Sequence, residues 1–372
     1  MIWIRESHFE YGLAPGSARQ ASMWGATNNF FRRLVPVAGE NVVKRTSAML
    51  LAIIAGAGAW FFFQNYQIAG LDNLVVVPRN ADTTTAVSTT ESSLTVPTMA
   101  RKQDTIRVAS FNIQVFGEAK SSKPEVMSRL AEIVRQFDVV AIQEIRCKDE
   151  GLIPSFVELI NSTGRHYDFV IGPRVGRTIS KEQFAYIFDT ASLQVDRSQV
   201  YTAQDPLDVL HREPLVAWFR VRGPDPNQAF TFTLVNVHVD PDEVEEEMNV
   251  MDDVFRAVRD DPRGEDDVIL LGDFNANESK MGQLANIPGI NWAISGVMTN
   301  TRGTELYDNI FMQRTATSEY TGRSGVFDFL RHYNLTLAEG LEISDHLPVW
   351  AEFSIYEGGW PQPVATVPKE TR

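Results

Sequence analysis

Apolar, strand-like runs in the C-terminal two-thirds of this chain keep ending or beginning at an acid, an amide or an imidazole. Ile106 to Phe111 ends in Asn112, and Val139 to Ile142 ends in Gln143 and Glu144. Phe230 to Val237 ends in His238, and Val268 to Leu271 ends in Gly272-Asp273-Phe274-Asn275. In the opposite order, Asp308 precedes Asn309-Ile310-Phe311, and Asp345-His346 precedes Leu347-Pro348-Val349-Trp350. Strands that leave a sheet at one edge, and strands that enter there, bring such side chains together. Alternate positions of a strand share a face, and one face of the run from Phe230 reads Phe230, Phe232, Leu234, Asn236, His238. It is apolar core, then polar where the strand leaves the sheet. An edge crowded with carboxylates, amides and two imidazoles suits a hard metal ion and phosphate chemistry.

Strands alternate with helical patterns across the same region. Glu125 to Phe137 carries a helical stripe of Val126, Leu130, Ile133, Val134 and Phe137. Ile153 to Ile160 reads as a shorter helix, and Val244 to Val258 as a third, opened by acids that the helix dipole favours. Its Glu245-Glu246-Glu247 run reads as a solvated first turn, and Phe230 to Leu234, alternating with period two, as a half-buried strand. About a dozen strands with flanking helices in roughly 250 residues imply two packed sheets covered by helices, an α/β (α+β) class. No internal repeat is visible.

The net charge of −14 is unevenly placed: residues 1–100 carry seven Lys/Arg and six Asp/Glu, so residues 101–372 account for −15. An acidic body argues against non-specific nucleic-acid binding but leaves room for a local basic groove. The single Cys147 excludes an internal disulfide and reads as a small hydrophobe beside the site, not a nucleophile.

No charge occurs from Thr46 to Leu71, and residues 47–63 are a run of seventeen apolar or small residues. That is the lower limit for a bilayer span, and Gln64 to Tyr66 extends it. Arg32, Arg33, Lys44 and Arg45 precede it, so a membrane anchor would leave the N-terminus cytoplasmic and export the rest. A buried core helix and a cleaved signal peptide are the other readings. The expected organisation is a weakly structured segment over 1–45, a transmembrane helix or signal anchor over 46–66, a Ser/Thr-rich linker over 67–103, a catalytic domain over 104–356 and a tail over 357–372. Met23 and Met49 are alternative starts.

Ala109-Ser110-Phe111-Asn112-Ile113-Gln114-Val115-Phe116-Gly117-Glu118 resembles the first motif of the deoxyribonuclease I proteins, which belong to the endonuclease/exonuclease/phosphatase superfamily. The resemblance continues in order through Ile142-Gln143-Glu144-Ile145-Arg146, Lys181-Glu182, Arg212-Glu213-Pro214, Val237-His238, Leu271-Gly272-Asp273-Phe274-Asn275-Ala276, Tyr307-Asp308 and Ser344-Asp345-His346-Leu347-Pro348-Val349. Each motif alone is weak; seven or more in one order are not a chance match. The resemblance covers residues 105 to 355 and implies a four-layer sandwich of two mostly antiparallel sheets flanked by helices.

It also implies roles. Glu144, with Asn112 and Asp345, would hold Mg²⁺ or Mn²⁺, with Ca²⁺ as a further candidate. Asp273 and Asn275 would orient water, phosphate or a second metal. His238 and His346 would form the general acid and base pair, with Glu182 orienting the first and Asp308 the second. Arg212 would contact phosphate, Arg146 would enter the DNA minor groove, and Arg177 would lie on the substrate side. Two departures stand out: Gln114 replaces an Arg of the family, and Ser180 replaces a DNA-stacking Tyr. The expected function is a metal-dependent phosphodiester hydrolase, an endonuclease on DNA or RNA outside the cytoplasm, anchored to the membrane. The alternatives are a lipid or sugar phosphatase or sphingomyelinase-like phosphodiesterase of the same superfamily, and an inactive tethered binding module.

Overall fold

The structure, a computed structural model, describes residues 104–359, Met99, and two short strands at 66–69 and 75–78. The chain divides into two compact units, Met1–Glu91 and Ser92–Arg372. In the first, β1 (Tyr66–Ala69) pairs antiparallel with β2 (Val75–Pro78). The hairpin falls in the stretch read as a linker; Val75-Val76-Val77 is a β-branched run suited to a strand. Tyr66, expected to close the apolar span, begins a strand instead. The remainder of that span and segment 1–45 lie outside the described residues. Among the described residues no helix is long and apolar enough to cross a membrane.

The second unit contains two mixed sheets. One runs in the order β14 (Tyr320–Val326), β15 (Val349–Ser354), β3 (Thr105–Phe116), β4 (Val139–Ile145), β6 (Gln183–Asp189), β5 (Tyr167–Ile171). The other runs β12 (Ile290–Trp292), β13 (Asp308–Gln313), β11 (Val268–Asp273), β10 (Thr231–His238), β9 (Leu215–Val221), β7 (Leu193–Val195), with β8 (Tyr201–Thr202) also on β9. The pairs β3–β4 and β10–β11 are parallel, and the other pairings of both sheets are antiparallel.

Strand alternation divides the apolar residues into three cores. Ile106 and Val108 of β3 point between the sheets, where they meet Phe232 and Leu234 of β10 and Ile269 and Leu271 of β11. Ala109, Phe111 and Ile113 point the other way, under the helices Pro124–Val134 and Leu152–Asn161. Val235 and Val237 of β10 face a third core beneath helix Met251–Arg259. Phe232 stacks on Phe219 at 5.7 Å and on Phe230 at 4.8 Å, and Phe230 stacks on Phe353 of the opposite sheet at 5.8 Å. Each fully buried Phe contributes about 1.5–3 kcal/mol over exposure.

Four local expectations are corrected. β10 is buried on both faces rather than one, because helix Met251–Arg259 covers the outer face; even Thr233 is fully buried. The helix expected over 244–258 is two, Val244–Met248 and Met251–Arg259. It breaks at Asn249-Val250, two weak helix formers, where Gly282 packs against the Met248 carbonyl. Glu245 and Glu246 are solvated, but Glu247 is 1% exposed and accepts the backbone N–H groups of His211 (3.2 Å) and Asp240 (3.1 Å). The tail expected from residue 357 is part of the domain at its start: Glu357 N–H donates to the Gln228 carbonyl at 2.9 Å.

Gly272 is required by a close approach. It pairs with Val237 across β10–β11, and a Cβ there would lie 2.0 Å from the Val237 carbonyl oxygen. Gly272→Ala should therefore cost about 3 kcal/mol of folding free energy in urea titrations. A change below about 0.5 kcal/mol, the size of an ordinary surface substitution, would show that the strands part without penalty.

Candidate active site

The inter-sheet faces of the strands turn polar at one edge. In sheet register His238 stands opposite Asp273, Asp273 opposite Asp308, and Asn112 opposite Gln143; His346 bridges to Asn300. The register alone sets His238, Asp273 and Asp308 abreast. Just inside this edge, Gln143 Nε2 donates to Ser110 Oγ (3.0 Å) and to Asn236 Oδ1 of the other sheet (2.6 Å). Asn236 Nδ2 in turn donates to the carbonyls of Ile142 (3.1 Å) and Ala185 (3.3 Å).

Two imidazole–carboxylate pairs flank one aspartate. His238 Nδ1 lies 2.8 Å from Glu182 Oε1, and His346 Nδ1 lies 2.9 Å from Asp308 Oδ2. The remaining ring nitrogens converge: His238 Nε2 is 3.7 Å, and His346 Nε2 3.5 Å, from the same oxygen, Asp273 Oδ2. Asn112 Nδ2 donates to that oxygen at 2.9 Å. Thr299 Oγ1 donates to Asp308 Oδ2 at 2.7 Å, fixing the carboxylate behind His346.

Burial alone would strip the charge from these groups; the partners decide the outcome. Burial works to lower His346, but Asp308 and Asp273 outweigh it and carry its pKa up to about 10. His238 is raised the same way, by Glu182 first, against burial. For Asp273, burial favours the neutral acid, but His346 and His238 win and hold its carboxyl below the usual range. Glu182 is likewise lowered, by His238, Arg212 and Arg146 against burial. Asp308 is raised, because burial and Asp273 outweigh His346. In the metal-free edge the neighbours thus favour the protonated form of both imidazoles and the ionised form of Asp273.

Beside this centre lie Glu144, Asp345 and Asn112. Asn112 Nδ2 also donates to Glu144 Oε1 at 3.2 Å, and the Val115 N–H donates to Glu144 Oε2 at 2.8 Å. Glu144 (φ 62°) and Val115 (φ 48°) are both left-handed, a conformation costly for a β-branched residue, and it aims the Val115 N–H at the carboxylate. The buried oxygens Asn112 Oδ1 and Asp345 Oδ1 have no hydrogen-bond partner. Two carboxylates and an amide oxygen form an all-oxygen donor set, which fits a hard divalent cation. A second acid group nearby, Asp273, Asp308 and His346, offers ligand atoms within 4.8 Å of one another.

The arginines are arranged differently from expectation. Arg212, expected to face phosphate, is 7% exposed and braces the site from behind. Its Nε lies 3.2 Å from Glu182 and its Nη2 3.4 Å from Asp240, and Nη1 donates to the His238 carbonyl at 3.3 Å. Arg146 reaches Glu144 at 3.2 Å and Glu182 at 3.7 Å, and donates to Ser180 Oγ at 3.0 Å. Arg177 touches none of these groups; it donates to the carbonyls of Asp208 and Val209 and pairs with Glu243. It lines an adjoining open cleft with Arg174 and Lys181. Asn275, also left-handed at φ 47°, spends its side-chain N–H on the Val239 carbonyl (2.9 Å) and its backbone N–H on Asp273 Oδ1 (3.0 Å). At the two departures, Gln114 Nε2 donates to Asp345 Oδ2 at 2.6 Å, and Ser180 accepts from Arg146.

Sequence reasoning missed Lys120, Asp240 and Thr299. Asp240 follows His238 by two residues and obeys the strand-end rule, so it was findable. Thr299 and Lys120 carry no such signal. Lys120 donates to the Ile343 carbonyl at 2.6 Å, and burial pushes its pKa down to about 8 against the pull of Asp345 and Glu144.

Two sheets whose apolar interface ends in paired imidazoles, carboxylates and amides define a hydrolase of phosphate ester bonds. The chain belongs to the Endonuclease/Exonuclease/phosphatase family, whose model matches residues 109–346, and is a deoxyribonuclease I-like member of it. It is 32% identical over 261 residues to Deoxyribonuclease gamma of Rattus norvegicus, covering 66% of this chain and 83% of that protein. It is 31% identical over 279 residues to Deoxyribonuclease-1-like 1 of Homo sapiens, covering 72% and 90%. A solved structure of the human Nocturnin catalytic domain with bound sulfate anion aligns with a TM-score of 0.48 at 16% identity, covering 68% of this chain and 94% of that one.

In metal-free protein, the His346 ring resonances should titrate near pH 10. In Asp308→Asn they should move well down, toward the ordinary imidazole value of about 6.5. An unchanged titration in that variant would remove Asp308 as the main source of the raised value.

Proposed function

We propose that this chain is a divalent-metal-dependent endonuclease that hydrolyses the phosphodiester bonds of DNA. The observation that carries the reading is the convergence of His238 Nε2 and His346 Nε2 on Asp273, each ring backed by its own buried carboxylate. The names of the relatives supply the substrate.

A phosphodiester is shielded by its own negative oxygens, so attack needs charge neutralisation, an activated water and a proton for the leaving oxygen. Glu182 and Asp308 each occupy a ring Nδ1, which leaves Nε2 as the nitrogen that exchanges protons with substrate. One Nε2 takes the proton of the attacking water; the other returns one to the leaving oxygen. Asp273, held by Asn112 and Asn275, keeps both rings oriented and positions the water between them. Glu144, Asp345 and the Asn112 amide oxygen would hold Mg²⁺ or Mn²⁺, which when bound neutralises phosphate charge and polarises the phosphorus–oxygen bond. Arg212 keeps Glu182 ionised and aligned behind His238. Arg146 and the cleft cations Arg174, Arg177 and Lys181, which stand among the cleft acids Asp205 and Glu213, would supply the phosphate contacts for nucleic acid.

His238→Ala and His346→Ala should each lower the rate of plasmid cleavage with Mg²⁺ or Mn²⁺ by about 10²- to 10⁴-fold while leaving the circular dichroism spectrum that of the folded chain. Undiminished cleavage by either variant would remove that ring from the chemistry. Arg146→Ala should weaken DNA binding across sequences and reduce the slope of log K against log salt by about one. An unchanged slope would take Arg146 off the phosphate backbone. In parallel, RNA, sphingomyelin and inositol phosphates would be offered to the same preparation. Turnover of lipid without turnover of DNA would overturn the substrate assignment while leaving the hydrolase assignment intact.

A further inference from the structure

Gln114 stands where β3 leaves its regular ladders. β3 pairs with β15 as far as Ser110 opposite Val349, and with β4 as far as Asn112 opposite Gln143, before a register shift. One hydroxyl takes over from the ladder there. The Gln114 N–H donates to Ser344 Oγ at 3.3 Å, Ser344 Oγ donates to the Asn112 carbonyl at 2.7 Å, and the His346 N–H donates to Ser344 Oγ at 3.1 Å. From the other side, the Thr301 N–H donates to the Asp345 carbonyl at 2.7 Å, and Thr301 Oγ1 donates to the Ser344 carbonyl at 2.7 Å. The main chain of Asp345, between Ser344 and His346, is thus fixed against Asn112 and Gln114.

On this frame the two oxygens of the Asp345 carboxylate are treated differently. Oδ2 accepts Gln114 Nε2 at 2.6 Å. Oδ1 is buried without a hydrogen-bond partner, as is Asn112 Oδ1, and lies 3.9 Å from His346 Nε2. A carboxylate that ligates through one oxygen is oriented by a donor on the other, and without that donor the ordering cost falls on metal binding. The donor here is neutral. A guanidinium in its place would set a permanent positive charge beside the donor set and oppose a divalent cation. Gln114, where the family has Arg, keeps a hydrogen-bond donor for Asp345 and leaves its negative charge undiminished.

We propose, resting on the metal assignment made above for Glu144, Asn112 and Asp345, that Gln114 is a positioning residue for that donor set. It ties down Asp345 Oδ2 and so reserves Oδ1 for the divalent cation. Gln114 touches neither the metal nor the substrate in this role; it acts through Asp345 alone. An asparagine at position 345 would have a single side-chain oxygen, which could not accept from Gln114 and serve the cation at once. The effect of Gln114 on metal affinity therefore depends on the carboxylate being there.

The test is Mn²⁺ binding to the full chain without DNA, read from the electron paramagnetic resonance of free Mn²⁺. The step to follow is the one that Glu144→Gln weakens. Gln114→Met keeps the side-chain length and loses the donor; it should raise the Kd of that step by about 10-fold. In the Asp345→Asn background the same exchange should change Kd by no more than about two-fold. Gln114→Arg, which keeps a donor and adds a charge, should also weaken Mn²⁺ by about 10-fold or more. The Mn²⁺ concentration for half-maximal plasmid cleavage should rise in Gln114→Met by the same factor as Kd. An unchanged Kd in Gln114→Met would overturn the proposal. So would an equal loss in both backgrounds, which is what a merely structural role would give. Wild-type affinity in Gln114→Arg would overturn the part assigned to the neutral donor. Mn²⁺ binding that Glu144→Gln leaves untouched would overturn the metal assignment and this role with it; a Glu144-dependent step indifferent to Gln114→Met would overturn this role alone. Should Gln114→Met fail to fold, Gln114→Ala takes its place in both backgrounds with the same expectation.

Discussion

One hydrogen bond between two fully buried amides, Gln143 Nε2 to Asn236 Oδ1 at 2.6 Å, joins the sheets where their interface changes from apolar to polar. A buried amide left unpaired costs about 1–3 kcal/mol, so this contact penalises every other alignment of the two sheets. On one side lie the stacked rings of Phe219, Phe230, Phe232 and Phe353; on the other lies the catalytic edge. Two positions beyond Ser110, Asn236 and Leu271, the strands β3, β10 and β11 reach the edge. Asn112 and His238 arrive in this way, beside Asp273.

The catalytic edge is an electrostatic balance. Asp308, Asp273 and Glu182 are too buried to remain ionised alone, and His238 and His346 are too buried to remain protonated alone. Together they supply each other's counter-charge, and Arg212 completes the set behind Glu182. The edge also carries backbone strain: Val115, Glu144 and Asn275 hold left-handed conformations that a free chain would abandon. The packed sheets beneath them absorb that cost and keep the side chains aimed.

Much of this was legible in the chain. Strand alternation placed Phe230, Phe232, Leu234, Asn236 and His238 on one face, and they share it in the structure. The family resemblance implied Glu182 behind His238 and Asp308 behind His346, and both contacts are present in the structure. Where reading failed, solvent exposure was the cause. Periodicity reports which residues share a face but not what covers that face, so β10 read as half-buried until a helix was seen on its outer side. The Glu247 carboxyl reads as one charge in an acidic run until His211 and Asp240 are found donating to it.

The sequence by itself determined the residues at the strand ends, the helical and strand periods, and the uneven charge, because each is a property of neighbours along the chain. Only the tertiary structure decided which of those ends meet. Arg212 turned inward to Glu182 and Asp240, Arg177 went to the rim of an adjoining cleft, and Gln114 closed on Asp345. It also gathered Asp267, Glu319 and Glu357, which stand 52 and 38 residues apart in order along the chain, at one rim. Such contacts depend on sheet register and layer packing, and neither can be read from a single strand.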